Sequence, residues 1–233
     1  MTAECKYWGV VPAAGSGSRM DAAIPKQYLP LAGQPVLQRT LQAMLDWGLL
    51  EKIVIALRRP DENWEQLPLS DHPQLMTAVG GLERIDSVLA GLDLLEALAQ
   101  PDDWVLVHDA ARPCVSTAAV QQLYTELRDD PVGGLLALPV AETLKRDDGG
   151  FRVLETLDRG GLWLAQTPQM FRFGLLHQAL RMAARSGVAI TDEAAAIEWA
   201  GHRPRLVSGD PANIKITRPA DLALAERYWQ AED

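Results

Sequence analysis

The sequence is short of cysteine, of histidine and of positive charge. Its two cysteines, Cys5 and Cys114, show no C-x-x-C spacing and no neighbouring histidines, which argues against a zinc site or a disulfide framework. Cys114, close behind an apolar run, reads as a small buried thiol. Twenty-two Lys and Arg against 31 Asp and Glu leave a formal charge of -9, a poor match to a nucleic-acid backbone. A small anionic substrate stays possible, because a few clustered cations dominate the field of one cleft. No stretch reaches the ~18 uninterrupted apolar residues of a membrane span, and the N-terminal MTAECKYW has no long apolar run of the signal-peptide kind. Internal repeats, low-complexity tracts and long linkers are missing too. The expectation is a cytoplasmic protein with no nucleic-acid or membrane partner.

What the sequence does contain is alternation. Its 233 residues, 48% hydrophobic, suit one α/β domain spanning 1–233. Apolar runs read as strands: YWGVVPA, KIVIAL, LMTAVGG, DWVLVHDAARP, VGGLLALPV and RPRLVSG, with PANIKIT as a last strand. Between them come helical patterns: PVLQRTLQAMLDWGLL with Pro35 near its start and Gly48 near its end, ERIDSVLAGLDLLEALA, STAAVQQLYTELRD with Ser116 as N-cap, FGLLHQALRMAARSG, and EAAAIEWAG capped by Thr191-Asp192. A C-terminal helix follows Pro219. Short continuous apolar strands spaced by helices imply a mostly parallel sheet covered on both faces, a Rossmann-like three-layer fold. Such sheets place ligands beyond the carboxyl ends of their strands, which groups the loop after strand one with GGLER and HDAARP. The stretch from about 140 to 160 differs. LKR, DDGG and FRVLETL read as a β-hairpin too polar for the core, a protruding arm. The tryptophans, among them Trp8, Trp47, Trp104 and Trp163, read as packing, since no basic run interleaves them.

The loop PAAGSGSRM, residues 12–20, is not a G-x-x-x-x-G-K-[ST] P-loop. It matches G-x-G-x-x-G only as far as Gly15 and Gly17, and the second strand ends in Arg58-Arg59 where a dinucleotide fold wants an acid. Its small residues still let backbone N–H groups approach a polyphosphate, and Arg19 and Lys26 add fixed charge. Lys215 in NIKIT sits among apolar residues, an odd place for a lysine unless it faces an anion.

PAAGSGSRM followed by PKQY resembles the nucleotidyltransferases that join a sugar or polyol phosphate to an NTP. VHDAARP at 107–113, QTPQ at 166–169, NIKIT at 213–217 and GGLERIDSVLAGL narrow the resemblance to the 2-C-methyl-D-erythritol 4-phosphate cytidylyltransferase family, over nearly the whole chain. The resemblance implies that a methylerythritol phosphate oxygen attacks the α-phosphorus of CTP and pyrophosphate leaves, in the non-mevalonate isoprenoid route. Both reactants are anionic, so the site must cancel repulsion, align them and stabilise charge on phosphorus. The attacking phosphate is already ionised, which suits a chain with four histidines and no Ser-His pairing.

By the same resemblance Arg19, Lys26 and Lys215 are catalytic. Pro12, Ala13, Ala14, Gly15, Ser16, Gly17, Gly81, Arg84, Ser87 and Ala110 bind CTP, with Ser87 offering its hydroxyl to the base. Leu82 stands where many relatives carry a polar residue. Arg112, Thr143 and Arg159 bind the methylerythritol phosphate. Asp109, an acid beside a triphosphate, is expected to hold Mg²⁺, the implied cofactor, with Asp210 as a possible second acid. The arm is implied to cross a homodimer and complete the neighbour's pocket, and the short C-terminus to leave no room for a fused second enzyme. Two alternatives stay open: a ribitol 5-phosphate cytidylyltransferase, and a nonenzymatic nucleotide- or sugar-phosphate-binding regulator.

Overall fold

The computed structural model describes residues 5–15 and 24–231. The chain runs β1 (Tyr7–Pro12), a 3₁₀ turn (Lys26–Tyr28), β2 (Pro30–Leu31), β3 (Gln34–Pro35) and α1 (Val36–Asp46). Next come β4 (Lys52–Leu57), α2 (Glu62–Glu65), β5 (Leu75–Val79), α3 (Arg84–Leu95), β6 (Trp104–Val107) and α4 (Thr117–Leu127). The second half holds β7 (Gly133–Pro139), β8 (Leu144–Asp147), β9 (Val153–Leu157), β10 (Trp163–Arg172), α5 (Phe173–Ser186), α6 (Glu193–Trp199), β11 (Arg205–Ser208) and α7 (Pro219–Ala231).

Period-two alternation along the central strands makes three layers. Val11, Ile53 and Ile55 point to one face, against Leu37, Leu41 and Met44 of α1 and Leu123 of α4. Val10, Val54 and Val105 point to the other, against Val88 and Leu92 of α3, Leu176 and Leu180 of α5 and Ile197 of α6. Each of these side chains is fully buried or nearly so, and each contributes about 1.5–3 kcal/mol of transfer free energy. Ser116 and Asp192 cap their helices as expected, accepting from Ala119 N–H and Ala195 N–H.

The seven-stranded sheet has the order β11-β7-β10-β6-β1-β4-β5. β1 pairs in parallel with β4 and β6, and β4 with β5, so four carboxyl ends share one rim. β1 lies between strands reached in opposite directions, a switch point where the loops diverge and leave a crevice.

Three sequence expectations need correction. Residues 163–172 were not expected as a strand, because QTPQ is polar and holds a proline, yet β10 is the longest strand and runs antiparallel between β6 and β7. Its ladder breaks between Ala165 and Gln169, and Pro168 sits in that irregularity. NIKIT was expected as a strand and is none. It is held by turns and single bonds, such as Ile216 N–H to Ala111 C=O. Ile216 is buried with Leu31, Val36 and Ala225 of α7. The hairpin forms as expected: β8 and β9 make a separate two-stranded sheet with exposed flanks. Trp163, expected in packing, is 40% exposed at the base of this arm, whereas Trp8, Trp47 and Trp104 are buried.

Candidate active site

Loops after β1, β4, β5 and β6 surround a cavity of about 690 Å³. That lies within the range of small-molecule sites, roughly 300–1,000 Å³. Pro12, Ala13, Ala14, Gly15, Lys26, Gly81, Arg84, Ser87, Asp109, Ala110 and Lys215 line it, eleven residues singled out from sequence. Arg19, Ser16 and Gly17 lie outside the described residues. Arg112, Thr143 and Arg159 are not part of the lining: Arg112 stands behind Asp109, and Thr143 and Arg159 are exposed on the arm, where Arg159 donates to Ala141 C=O. Asp210 stays out of the lining as well, its carboxylate taken by the Ser116 hydroxyl and Ala212 N–H.

The first wall is backbone. Ala13 N–H donates to Ala56 C=O, fixing the start of the glycine loop to the end of β4. Buried Gln27 donates its amide to Ala13 C=O at 2.8 Å and Gly15 C=O at 3.3 Å. Opposite, Gly80 comes so close that an added Cβ would stand 2.5 Å from the Ala14 Cβ. A side chain there collides with the loop across the crevice. The Ser87 hydroxyl accepts from Gly81 N–H at 3.2 Å and sits 3.3 Å from Glu83 C=O, so it shapes the loop as well as lining the cavity.

The second wall is charged. Asp109 is 6% exposed, yet three cations converge on it. Arg84 Nε lies 3.3 Å from its Oδ1, with Arg112 Nε at 3.2 Å and Lys215 Nζ at 3.0 Å from Oδ2. Burial alone would raise this carboxyl, but Arg84, Lys215 and Arg112 outweigh it and hold it well below the usual carboxylate range. Arg84 has a second partner, the buried carboxylate of Glu193, at 2.5 and 3.0 Å. Burial opposes its charge, while Glu193 and Asp109 more than restore it. Lys26 Nζ donates to Ile216 C=O at 2.9 Å, tying the turn after the glycine loop to the segment that carries Lys215.

Behind these walls, β10 supplies the bracing. Thr167 Oγ1 accepts Asp109 N–H at 3.0 Å and meets His108 Nδ1 at 3.0 Å. His108 Nε2 faces Arg112 C=O, which can only accept, so the proton sits on Nε2 and the Thr167 hydroxyl donates to Nδ1. Burial pushes His108 down to about 4, which keeps it neutral at pH 7. Gln166 donates to Asp210 C=O, and Asn213 donates to Thr167 C=O. Arg112 spends its remaining nitrogens on Asn213 and Ala165 carbonyls.

Sequence reasoning missed Gln27, Thr167 and Glu193, which bond to residues of the cavity wall, and Gln169, which bonds to Asp192 and Ala194 beside Glu193. It also gave no binding role to Arg58 and Arg59, which line the rim. The signal for Gln27 and Thr167 was there, since PKQY and QTPQ were noted as motifs.

For a divalent cation the donor set is lean. Asp109 is the one buried acid in the lining, and its Oδ1 carries a single bond from Arg84, leaving lone-pair capacity. This fits an ion that brings most of its oxygen ligands with a triphosphate. Among the described residues the only metal-like cluster is Asp93, Glu96 and His177, away from this lining, and Arg181 already pairs with both acids there. No helix among the described residues is long and apolar enough to cross a membrane.

Parallel strands whose carboxyl ends surround a cavity lined by the small residues 12–15, Lys26 and Lys215 suit a nucleotidyltransferase, and the comparisons place the chain in that class. The family model for 2-C-methyl-D-erythritol 4-phosphate cytidylyltransferase matches residues 8–231, and the chain belongs to this family. It is 54% identical over 224 residues to the 2-C-methyl-D-erythritol 4-phosphate cytidylyltransferase of Pseudomonas aeruginosa (strain UCBPP-PA14), covering 96% of each chain. The enzyme of the same name from Ectopseudomonas mendocina (strain ymp) is 53% identical over 229 residues, covering 98% of this chain and 97% of the relative. Its fold matches a crystal structure of 4-diphosphocytidyl-2C-methyl-D-erythritol synthase with a TM-score of 0.85 at 36% identity, covering 98% of this chain and all of the other. The Francisella tularensis 2-C-methyl-D-erythritol 4-phosphate cytidylyltransferase structure gives 0.84, also at 36% identity, covering 96% and 99%.

Proposed function

We propose that the protein transfers CMP from CTP to 2-C-methyl-D-erythritol 4-phosphate, releasing pyrophosphate, in the non-mevalonate isoprenoid pathway. The observation that carries this is the convergence of Lys26 and Lys215 on one cavity walled by the backbone of 12–15 and 80–81. The backbone of residues 12–15 accommodates the nucleotide's phosphates with little side-chain bulk in the way. Lys26 and Lys215 draw off charge as the α-phosphorus becomes five-coordinate. Lys215 is held ready by Asp109, and its ammonium is shared with the α-phosphate once nucleotide enters. No protein base is needed, because the attacking phosphate is ionised at neutral pH, and neutral His108 does not act as one. Asp109 would hold Mg²⁺, which when bound would supply charge neutralisation at the triphosphate. Arg112, Thr143 and Arg159 are assigned to the polyol phosphate, the last two through a homodimer in which the arm reaches the neighbour. Exposed Phe151, Val153, Leu154 and Leu164 on and beside the arm support that pairing. A cytoplasmic location completes the reading.

The decisive experiment measures pyrophosphate release at fixed CTP with methylerythritol phosphate and with ribitol 5-phosphate in parallel. Turnover with the first and little with the second is expected; the reverse would make this a ribitol phosphate enzyme. Turnover lost on adding EDTA and restored by Mg²⁺ is the expected mark of the metal.

A further inference from the structure

We propose that Glu193 is a positioning residue for nucleotidyl transfer: it grips Arg84 from behind the cavity wall and so limits how much of Asp109 that arginine takes. The proposal rests on the cytidylyltransferase reading of the site. Glu193 is the first residue of α6 and is 1% exposed, outside the cavity lining. Both of its oxygens are occupied by the Arg84 fork, Nη1 and Nη2, across 109 residues of sequence. A guanidinium is planar, so a fork committed to Glu193 fixes the direction of the remaining N–H groups, and of these Nε–H is the one that meets Asp109. That Nε–H reaches Asp109 Oδ1, and Lys215 and Arg112 keep Oδ2.

Release of the fork changes this division. Arg84 then turns its paired N–H groups onto Asp109 and competes with Lys215 for the same carboxylate. Glu193 is itself fixed. Gln169, 1% exposed on β10, accepts Ala194 N–H at 2.8 Å and donates to Asp192 Oδ2 at 2.8 Å, which anchors the first turn of α6. A buried ion pair is a poor net stabiliser compared with an apolar pair of the same volume. A buried carboxylate aimed at a cavity arginine is therefore better explained by orientation than by stability.

The test uses full-length Glu193→Gln, Glu193→Asp, Arg84→Lys and the double variant Arg84→Lys/Glu193→Gln. Misplacement by about an ångström costs up to ~10²-fold, so Glu193→Gln is expected to lower kcat at least about tenfold while the calorimetric Kd for CTP moves less than about threefold. Glu193→Asp, which keeps the charge, recovers part of that loss, and the double variant is no worse than Arg84→Lys alone. The Arg84 Nε–H resonance is expected to exchange with water faster in Glu193→Gln than in the wild type. Folded Glu193→Gln with kcat within about twofold of wild type, or losses that multiply in the double variant, would overturn the proposal. A drop in Tm with kcat unchanged would make the pair merely structural. If Glu193→Gln does not fold, unchanged kcat in Glu193→Asp together with an unchanged Nε–H exchange rate does the same. A wild type that turns over no CTP refutes the reading of function instead, and the resonance experiment still decides the positioning.

Discussion

Single residues at this site are defined by what they are bonded to. Lys26 bridges to the 213–217 segment and lines the cavity, so in the proposed reaction Lys26→Ala removes a transition-state charge. We expect a fall in kcat of ~10²-fold or more with a smaller change in CTP affinity, read by steady-state pyrophosphate release. His108 gives a pH signature. Its folded-state value lies near 4 against 6.5 for the free side chain, so between these values the unfolded chain binds the extra proton. Stability is therefore flat above about pH 6.5 and falls as pH drops toward 4, by roughly 3 kcal/mol in all. His108→Gln lowers Tm at pH 7 and flattens the slope of Tm between pH 6.5 and 4; an unchanged slope would remove His108 from the account. At this scale the sequence was most readable where a residue type was out of place. Lys215 among isoleucines and Asp109 at the end of an apolar strand both announced themselves. Glu193 did not, because an acid in the first turn of a helix is ordinary and only the fold reveals the arginine above it.

At the scale of elements, loops and strands divide the work. The loop after β1 and the loop after β5 approach until only glycine fits at position 80. Gly80→Ala should push the Ala14 backbone out of place and raise KM for CTP tenfold or so, with a stability cost of about 1–3 kcal/mol. A KM unchanged in a titration of CTP would show that the two loops move independently. Apolar runs and helix caps made β1, β4, β6 and most helices legible before the structure, because each buries its own pattern locally. β10 was hidden for the opposite reason. Gln166, Thr167 and Gln169 are polar residues in the interior, bonded to Asp210, Asp109, Asp192 and Ala194 from elsewhere in the chain. No period-two pattern of hydrophobicity survives that. NIKIT failed in the other direction: it alternates like a strand, and one side of the alternation is a lysine for the cavity rather than a sheet face.

For the whole molecule, the assigned homodimer makes a sharp prediction about which subunit completes which site. Lys26 lines the cavity of its own chain, and Arg159 sits on the exposed arm. Inactive Lys26→Ala and inactive Arg159→Ala proteins, mixed and exchanged, should regain about a quarter of wild-type turnover, because half the dimers are mixed and each holds one intact site. No recovery after proven exchange would place Arg159 in the service of its own chain. Leu154→Glu, harmless on a free surface, should give monomers in sedimentation velocity. The arm's position after β7 was readable from DDGG and its polar flanks, while the exposed pair of Val153 and Leu154, at 64% and 63%, comes from the fold. One last consequence follows from β10. It is the late strand that slots between β6 and β7, and from it Asp109, the Lys215 segment and α6 are all braced. A nascent chain that has emerged only as far as β9 already contains the glycine loop, Lys26 and Asp109, but neither the Thr167 bond to Asp109 nor the 213–217 segment that meets Lys26 and Asp109. The site is therefore expected to be complete only once β10 has docked, so on denaturation activity and the protection of the buried Met170 and Phe171 amides should be lost in one step.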